Sequence, residues 1–357
     1  MRLPGCVLIE LTVAATLLAG TGFGGAWAVR EARALRDARG GGRGAGAPAR
    51  VASLRPRQEL SGEASPEVAL ESSGTFLGMS DEMLLDRIRK QPVTRLKLNR
   101  GGSSLSFRVD FADGSRAAWK PVQTNAQTVP RKEIAAYRLN RLLGLDAVPP
   151  AASRSLSKDE LFGMLHPDTL PALPRIRAET IIGPNGMVAG EASYWIPVIK
   201  DSDLDTVDGH QQITTWLTQG EAIPFERRAF MAQVAILIVF DFLTGNPDRY
   251  SGGNMKTSDD GSHLFFMDNT MSFFLEPQGT EKNRVLLLRQ QKFSRRVHQA
   301  LALIDVPTLR RLLREPDGNE ILTDAEIRAV VQRREFVERY VADLVKQYGE
   351  KKIFAFP

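Results

Sequence analysis

The chain has 357 residues, 43% hydrophobic and 25% charged, which is ordinary globular usage with length for one large domain or two lobes. Its net charge of +5 is uneven: residues 30–57 hold eight arginines against Glu31 and Asp37. The remainder is near neutral, so no nucleic-acid-binding surface is implied. The single cysteine, Cys6, excludes an intrachain disulfide and a cysteine-based zinc site. His166, His210, His263 and His298 are scattered without ligand spacing.

Val7 to Val29 is apolar except for Glu10 and three threonines, long enough to cross a lipid bilayer as one helix. Residues 1–30 therefore read as a membrane anchor or signal segment. The arginines that follow favour a cytoplasmic C-terminal side by the positive-inside tendency. Gly5-Cys6-Val7-Leu8-Ile9-Glu10 also resembles a type IV prepilin leader, which would put the rest outside. Residues 31–75, rich in Arg, Gly, Ala and Pro, read as a disordered tether.

The first folded part is expected over residues 76–200. Ser80 is placed to cap a helix from Asp81 to Lys90. Phe107, Val109 and Phe111 alternate with polar residues, Asp113-Gly114 makes a turn, and Ala117 to Val122 returns. Before this hairpin, Gly101-Gly102-Ser103 is a small-residue loop that can lay backbone N–H groups along phosphates, or be only a turn. Lys120 ends the returning strand. It reads as a solvated lysine or as a cation that reaches phosphates. Glu133 stands in the first turn of a helix that starts at Pro130 and stops at Gly144. It complements the helix dipole in either reading. Ala147 to Leu173, with four prolines, is expected to bridge lobes or form a lid. Arg177 to Lys200 is expected as two strands around Asn185-Gly186, with Tyr194 to Val198 a buried aromatic strand or a wall of the adenine site.

The second part, 201–357, is expected to be α-rich. Glu226 to Leu243 is nearly all apolar and reads as a central helix. Asp241 within it must find partners if buried. After a Gly-Asn-Pro turn, a loop presents Asp248, Arg249 and Asn254, and an apolar strand (Leu264 to Met267) delivers Asp268. Two carboxylates and an amide on loops suit metal-phosphate chemistry: one Asp as proton acceptor, the other with the Asn as ligands for Mg²⁺. The bland alternative is a polar turn. Residues 269–282 read as a substrate-side loop, 284–289 carries no assignment, and helices are expected near 294–304, 307–314 and 323–348.

The segment EIAAYRLNRLLGLDAVPPA (133–151), with AWKP, FDFLTGNPDRY and MDNT, resembles the four-jointed and Golgi casein-kinase-like (FAM20-type) group of atypical secretory-pathway kinases over roughly residues 95–310. It looks like a bacterial relative at the inner membrane. The resemblance implies an α+β, bilobal, atypical protein-kinase-like fold behind a transmembrane helix. It implies that Lys120 contacts ATP phosphates and pairs with Glu133, that Asp248 is the catalytic base, and that Asp268 binds Mg²⁺ or Mn²⁺. Asn254 is assigned as the second metal ligand. The chain departs from the family at Tyr250, where His is usual, and Asp248 to Asn254 is one residue longer than the protein-kinase spacing. The family's disulfides are absent.

The function expected from these readings is a membrane-anchored kinase that transfers the ATP γ-phosphoryl group to a protein Ser/Thr or glycan hydroxyl. The alternatives are a pseudokinase or scaffold tethered to membrane or pilus, and an AMP transferase on the same fold.

Overall fold

A computed structural model describes residues 74–250 and 253–357, which fall in one compact unit, Glu71–Pro357. The expected anchor, the prepilin-like leader and the tether up to residue 73 lie outside the described residues. The tether's expected end is corrected: Gly74 O accepts from Asp81 N at 2.8 Å and Thr75 is already in a strand. Among the described residues no helix is long and apolar enough to cross a membrane.

The chain opens with a small hairpin, β1 (Thr75–Phe76) and β2 (Met79–Ser80), and α1 (Asp81–Lys90), capped as expected by the Ser80 hydroxyl. The strands β3 (Val93–Leu98), β4 (Phe107–Phe111) and β5 (Arg116–Pro121) follow, then α2 (Arg131–Leu142). Next come β6 (Ala151–Ser153), β7 (Leu156–Ser157), α3 (Lys158–Gly163), a 3-10 turn (Pro167–Ala172) and α4 (Leu173–Glu179). Then β8 (Met187–Val188), β9 (Gly190–Tyr194) and β10 (Lys200–Asp201) lead into α5 (Val207–Trp216) and α6 (Phe225–Thr244). The rest is β11 (Met255–Thr257), β12 (Leu264–Phe266), α7 (Glu281–Arg289), α8 (Arg295–Ala300), α9 (Val306–Leu312), α10 (Asp324–Tyr348) and α11 (Glu350–Ile353).

Five antiparallel strands form the main sheet in the order β3-β4-β5-β9-β6. Its period-2 alternation sends Phe107, Val109, Phe111, Ala117 and Trp119 into a core closed by Ile88, Leu161 and Ile176. Each large apolar side chain buried there contributes roughly 2 kcal/mol. The segment 147–173 is therefore neither bridge nor lid, because Leu156 and Leu161 find their burial against this sheet. Arg177 is helical, in α4, so the first of the two strands expected from 177 onward is a helix end. The Asn185-Gly186 turn feeds β8, which pairs with β7, not with a strand directly before it. β9 stops at Tyr194, and Val198 is exposed, so an aromatic strand to 198 does not form.

In the second half α6 is the buried axis. It ends where Gly245 adopts φ +65°, a conformation glycine reaches without Cβ strain, and Asn246 N donates to Asp241 O at 2.9 Å. That stop sets the start of the loop that carries Asp248. The unassigned stretch 284–289 lies in α7, whose Thr280 hydroxyl caps it. A reciprocal capping box between Thr323 and Glu326 starts the 25-residue α10.

Candidate functional site

Lys120 lies at the last-but-one position of β5, at the strand end that reaches Asp268. Its Nζ donates to Asp268 Oδ1 at 2.6 Å. Burial pulls the ammonium down, but the charges of Asp268 and Glu133 outweigh it and hold Lys120 above the ordinary lysine range. Burial likewise raises the Asp268 carboxyl, while Lys120's charge and hydrogen bond and Thr270's hydroxyl bring it below the ordinary aspartate range. Both groups are therefore ionised at neutral pH.

Glu133 does not make the direct ion pair with Lys120 that was expected. Its Oε2 accepts from Asn269 N at 2.6 Å and its Oε1 from Asn269 Nδ2 at 2.8 Å. Asn269, one residue after the strand-end aspartate, has a backbone N–H and an amide aimed at the helix, and it takes up both oxygens. Burial raises Glu133 and Lys120's charge opposes it, with a net upward shift. Asp268 itself sits at φ +55°, an uncommon conformation that Asp tolerates better than most residues.

The loop after α6 is built round Asn246, which is fully buried. Its Oδ1 accepts from Asp248 N at 3.0 Å and its Nδ2 donates to Asp268 O at 3.4 Å. The two aspartates are thus fixed to one amide. Asn283 of α7 holds Asn246 in turn, donating Nδ2 to Asn246 O at 2.7 Å. Arg249, expected to be presented with Asp248, turns the other way and is 0% exposed. Its guanidinium pairs with both oxygens of Asp241, donates to Asn269 Oδ1 at 2.6 Å and to Met267 O. Asp241 thereby has the partner its burial demands. Asn254 Nδ2 donates to Asp248 O and Oδ2, each at 3.2 Å, so it orients the carboxylate proposed as base.

The Gly101-Gly102-Ser103 loop joins β3 to β4, and both glycines have positive φ. Because Phe107 faces Trp119, the loop hangs over the Lys120 end of the sheet. Gln123 clamps it there: Oε1 accepts from Leu105 N at 2.7 Å and Nε2 donates to Leu105 O at 3.0 Å. Ser103 O accepts from Arg175 Nη2 at 2.6 Å. Lys97, Arg108 and Ala118 form one cross-strand row, and Lys120 lies two residues along the same face of β5. A groove of about 380 Å³ lined by Lys97, Leu98, Asn99, Arg100, Arg108 and Trp195 opens beside them, within the size range of small-molecule sites.

The donors at this point are oxygen atoms, the preference of Mg²⁺ and Mn²⁺. Among the described residues no set of three His, Cys, Asp or Glu side chains is arranged for a metal. Asp268 is 43% exposed at its side chain, with Oδ1 accepting from both Lys120 and Thr270. Glu133, Glu191 and Asp268 all lie close enough to act on the one ammonium of Lys120, which makes this the most acid-rich point of the sheet face. Asp268 and Asn254 each carry side-chain oxygens of the kind that Mg²⁺ and Mn²⁺ take.

Sequence reasoning missed Asn246, Glu191 and the position of Asn283. Asn246 carried one signal, its place between the helix-stopping glycine and a proline. Glu191 carried none, since its place opposite Lys120 comes from the pairing of two strands about 70 positions apart in the chain.

No family model matches the chain. Mouse pseudokinase FAM20A is 21% identical over 306 residues, a match that covers 71% of this chain and 56% of the mouse protein; the chain thus spans little more than half the length of that relative. The crystal structure of the Golgi casein kinase superposes with a TM-score of 0.59 at 16% identity, covering 77% of this chain and 78% of that one. A second structure of it, with Mn/ADP bound, gives 0.59 at 15% identity over the same shares. The structure of hydra Fam20 with sugar gives 0.57 at 16% identity, covering 77% of this chain and 93% of that one. In sequence this chain is similar to FAM20A, and its mixed α/β architecture is that of the Golgi casein kinase and hydra Fam20 structures.

Proposed function

We propose that the protein is an atypical kinase that moves the γ-phosphoryl group of ATP to a hydroxyl acceptor, a protein Ser/Thr or a sugar, with Mg²⁺ or Mn²⁺. One observation carries this reading: Lys120 and Asp268 touch at 2.6 Å, and Asp248 is tied to Asp268 through Asn246. Asp248 would accept the proton of the attacking hydroxyl, oriented by Asn254. Lys120 would hold the nucleotide phosphates beneath the Gly101-Gly102-Ser103 loop. Asp268 and Asn254 would hold the cation, which supplies charge neutralisation at the triphosphate. Glu133 acts through Asn269 to fix the backbone that carries Asp268. The solved relatives with Mn/ADP and with sugar support nucleotide, metal and a hydroxyl-bearing acceptor as the ligand classes.

The test is transfer from γ-labelled ATP to lysate fractions. Asp248→Ala should lower transfer by at least about a hundredfold while Mn/ADP still raises the unfolding temperature. Asp268→Ala should abolish both transfer and the metal-dependent shift. Full transfer in either variant sinks the assignment, and an AMP adduct in place of phosphate on the product would make it a nucleotidyl transferase.

A pseudokinase is the second reading. It is favoured by the name of the mouse relative and by Lys120 contacting Asp268 instead of Glu133. A nucleotide-dependent thermal shift without transfer to any fraction would establish it. We also read residues 7–29 as a bilayer anchor, on the strength of their apolar run; carbonate-resistant retention in the membrane pellet tests it.

A further inference from the structure

Lys120 has one ion pair among the described residues, to Asp268. An ammonium 2.6 Å from one oxygen of a carboxylate competes with a divalent cation for the same charge, and the two cations repel at short range. Lys120 must therefore change partners when metal binds. Glu133 is not free to receive it, because each of its oxygens is taken by Asn269. Glu191 is free. It stands directly opposite Lys120 in the β5–β9 register, where facing Cβ atoms lie about 5 Å apart. It is 1% exposed, and its Oε2 has no hydrogen-bond partner among the described residues. A buried acid with an idle oxygen costs stability, and such a group calls for an explanation. Burial first, then the charge of Glu133, holds the Glu191 carboxyl well above its ordinary value against the pull of Lys120, and among the described residues it makes no ion pair.

We infer that Glu191 is a positioning residue of this site: the carboxylate that receives the Lys120 ammonium when a divalent cation takes Asp268. This rests on reading Asp268 as a metal ligand. It makes the Lys120–Asp268 contact the metal-free arrangement and gives the lysine a fixed second place, on the same sheet face, from which it still reaches phosphates.

The experiment is a double-mutant cycle read by calorimetric titration of the full chain with Mn²⁺ alone. Glu191→Gln should weaken Mn²⁺ binding at least about fivefold, the low end of coupling between linked sites. In a Lys120→Met background, with no ammonium to rehouse, the same change should leave the affinity where it was. Equal losses in both backgrounds would mean simple through-space charge and overturn the inference, as would no loss in either. Glu191→Met, apolar and of similar size, gives a second cycle if the Gln variant fails to fold. Asp268→Asn is the separate control: if it leaves Mn²⁺ binding intact, the metal reading of Asp268 fails, whatever Glu191 does.

Discussion

Asp248 and Arg249 are neighbours in the chain but differ in burial, the carboxylate half-buried beside Asn254 and the guanidinium in the core. The sequence put both on a presented loop, because a dipeptide carries no sign of which side chain turns inward. The signal lay eight residues earlier, in Asp241: an acid in an apolar helix needs a cation. Asp241 is 1% exposed. Burial raises its carboxyl to about 6 from an ordinary 3.8, against the pull of Arg249. The folded state therefore keeps a proton that the unfolded chain has lost between these values. The stability due to this proton is complete below pH 3.8 and is lost as pH rises through about 6. Urea titrations should thus give a falling stability over that window, by up to about 3 kcal/mol, and a flatter profile for Asp241→Asn. Parallel profiles would remove Asp241 as the titrating group.

At the scale of elements, α2 and the β4–β5 hairpin were legible, because Pro130, Gly144 and Asp113-Gly114 punctuate clean helical and alternating patterns. The capped start of α1 at Ser80 was legible from the sequence too. The proline-bearing 147–173 stretch was not, since prolines mark where chains turn but not what they turn against. Nor was the insertion of β9 beside β5, which joins residues about 70 positions apart and so sets Glu191 against Lys120. The glycine loop was read correctly as a loop between strands; what holds it, Gln123, carries no sequence mark. Gln123 is 5% exposed and makes two hydrogen bonds to Leu105. Gln123→Ala should cost about 2 kcal/mol of stability and, if the loop covers phosphates, raise the KM for ATP severalfold with little change in kcat. An unchanged KM would make that loop a turn and nothing more.

Across the whole molecule, α2 is a strut between the sheet and the helical half. Arg131 makes a bidentate pair with Glu326 at 3.0 and 3.1 Å, and Arg138 reaches Leu312 O and Arg314 O, both at 2.9 Å. On the far side Arg333 of α10, 0% exposed, donates to Leu243 O, Phe274 O and Glu276 O at 2.7, 2.7 and 3.1 Å. It fastens the end of α6 to the segment after Asp268. Arg333→Met leaves three carbonyls unsatisfied and should cost at least about 3 kcal/mol in urea unfolding, with weaker Mn/ADP binding in the fraction that remains folded. Unchanged unfolding would show that water replaces the guanidinium at no cost. Arg249 plays the same part closer in, joining α6, the end of β12 and Asn269 by one side chain. A mutational survey scored by turnover alone would therefore rank Arg249 with Asp248 and count two chemical residues where we propose one. Only a parallel measure of how much protein survives in soluble, folded form would tell the keystone from the tool.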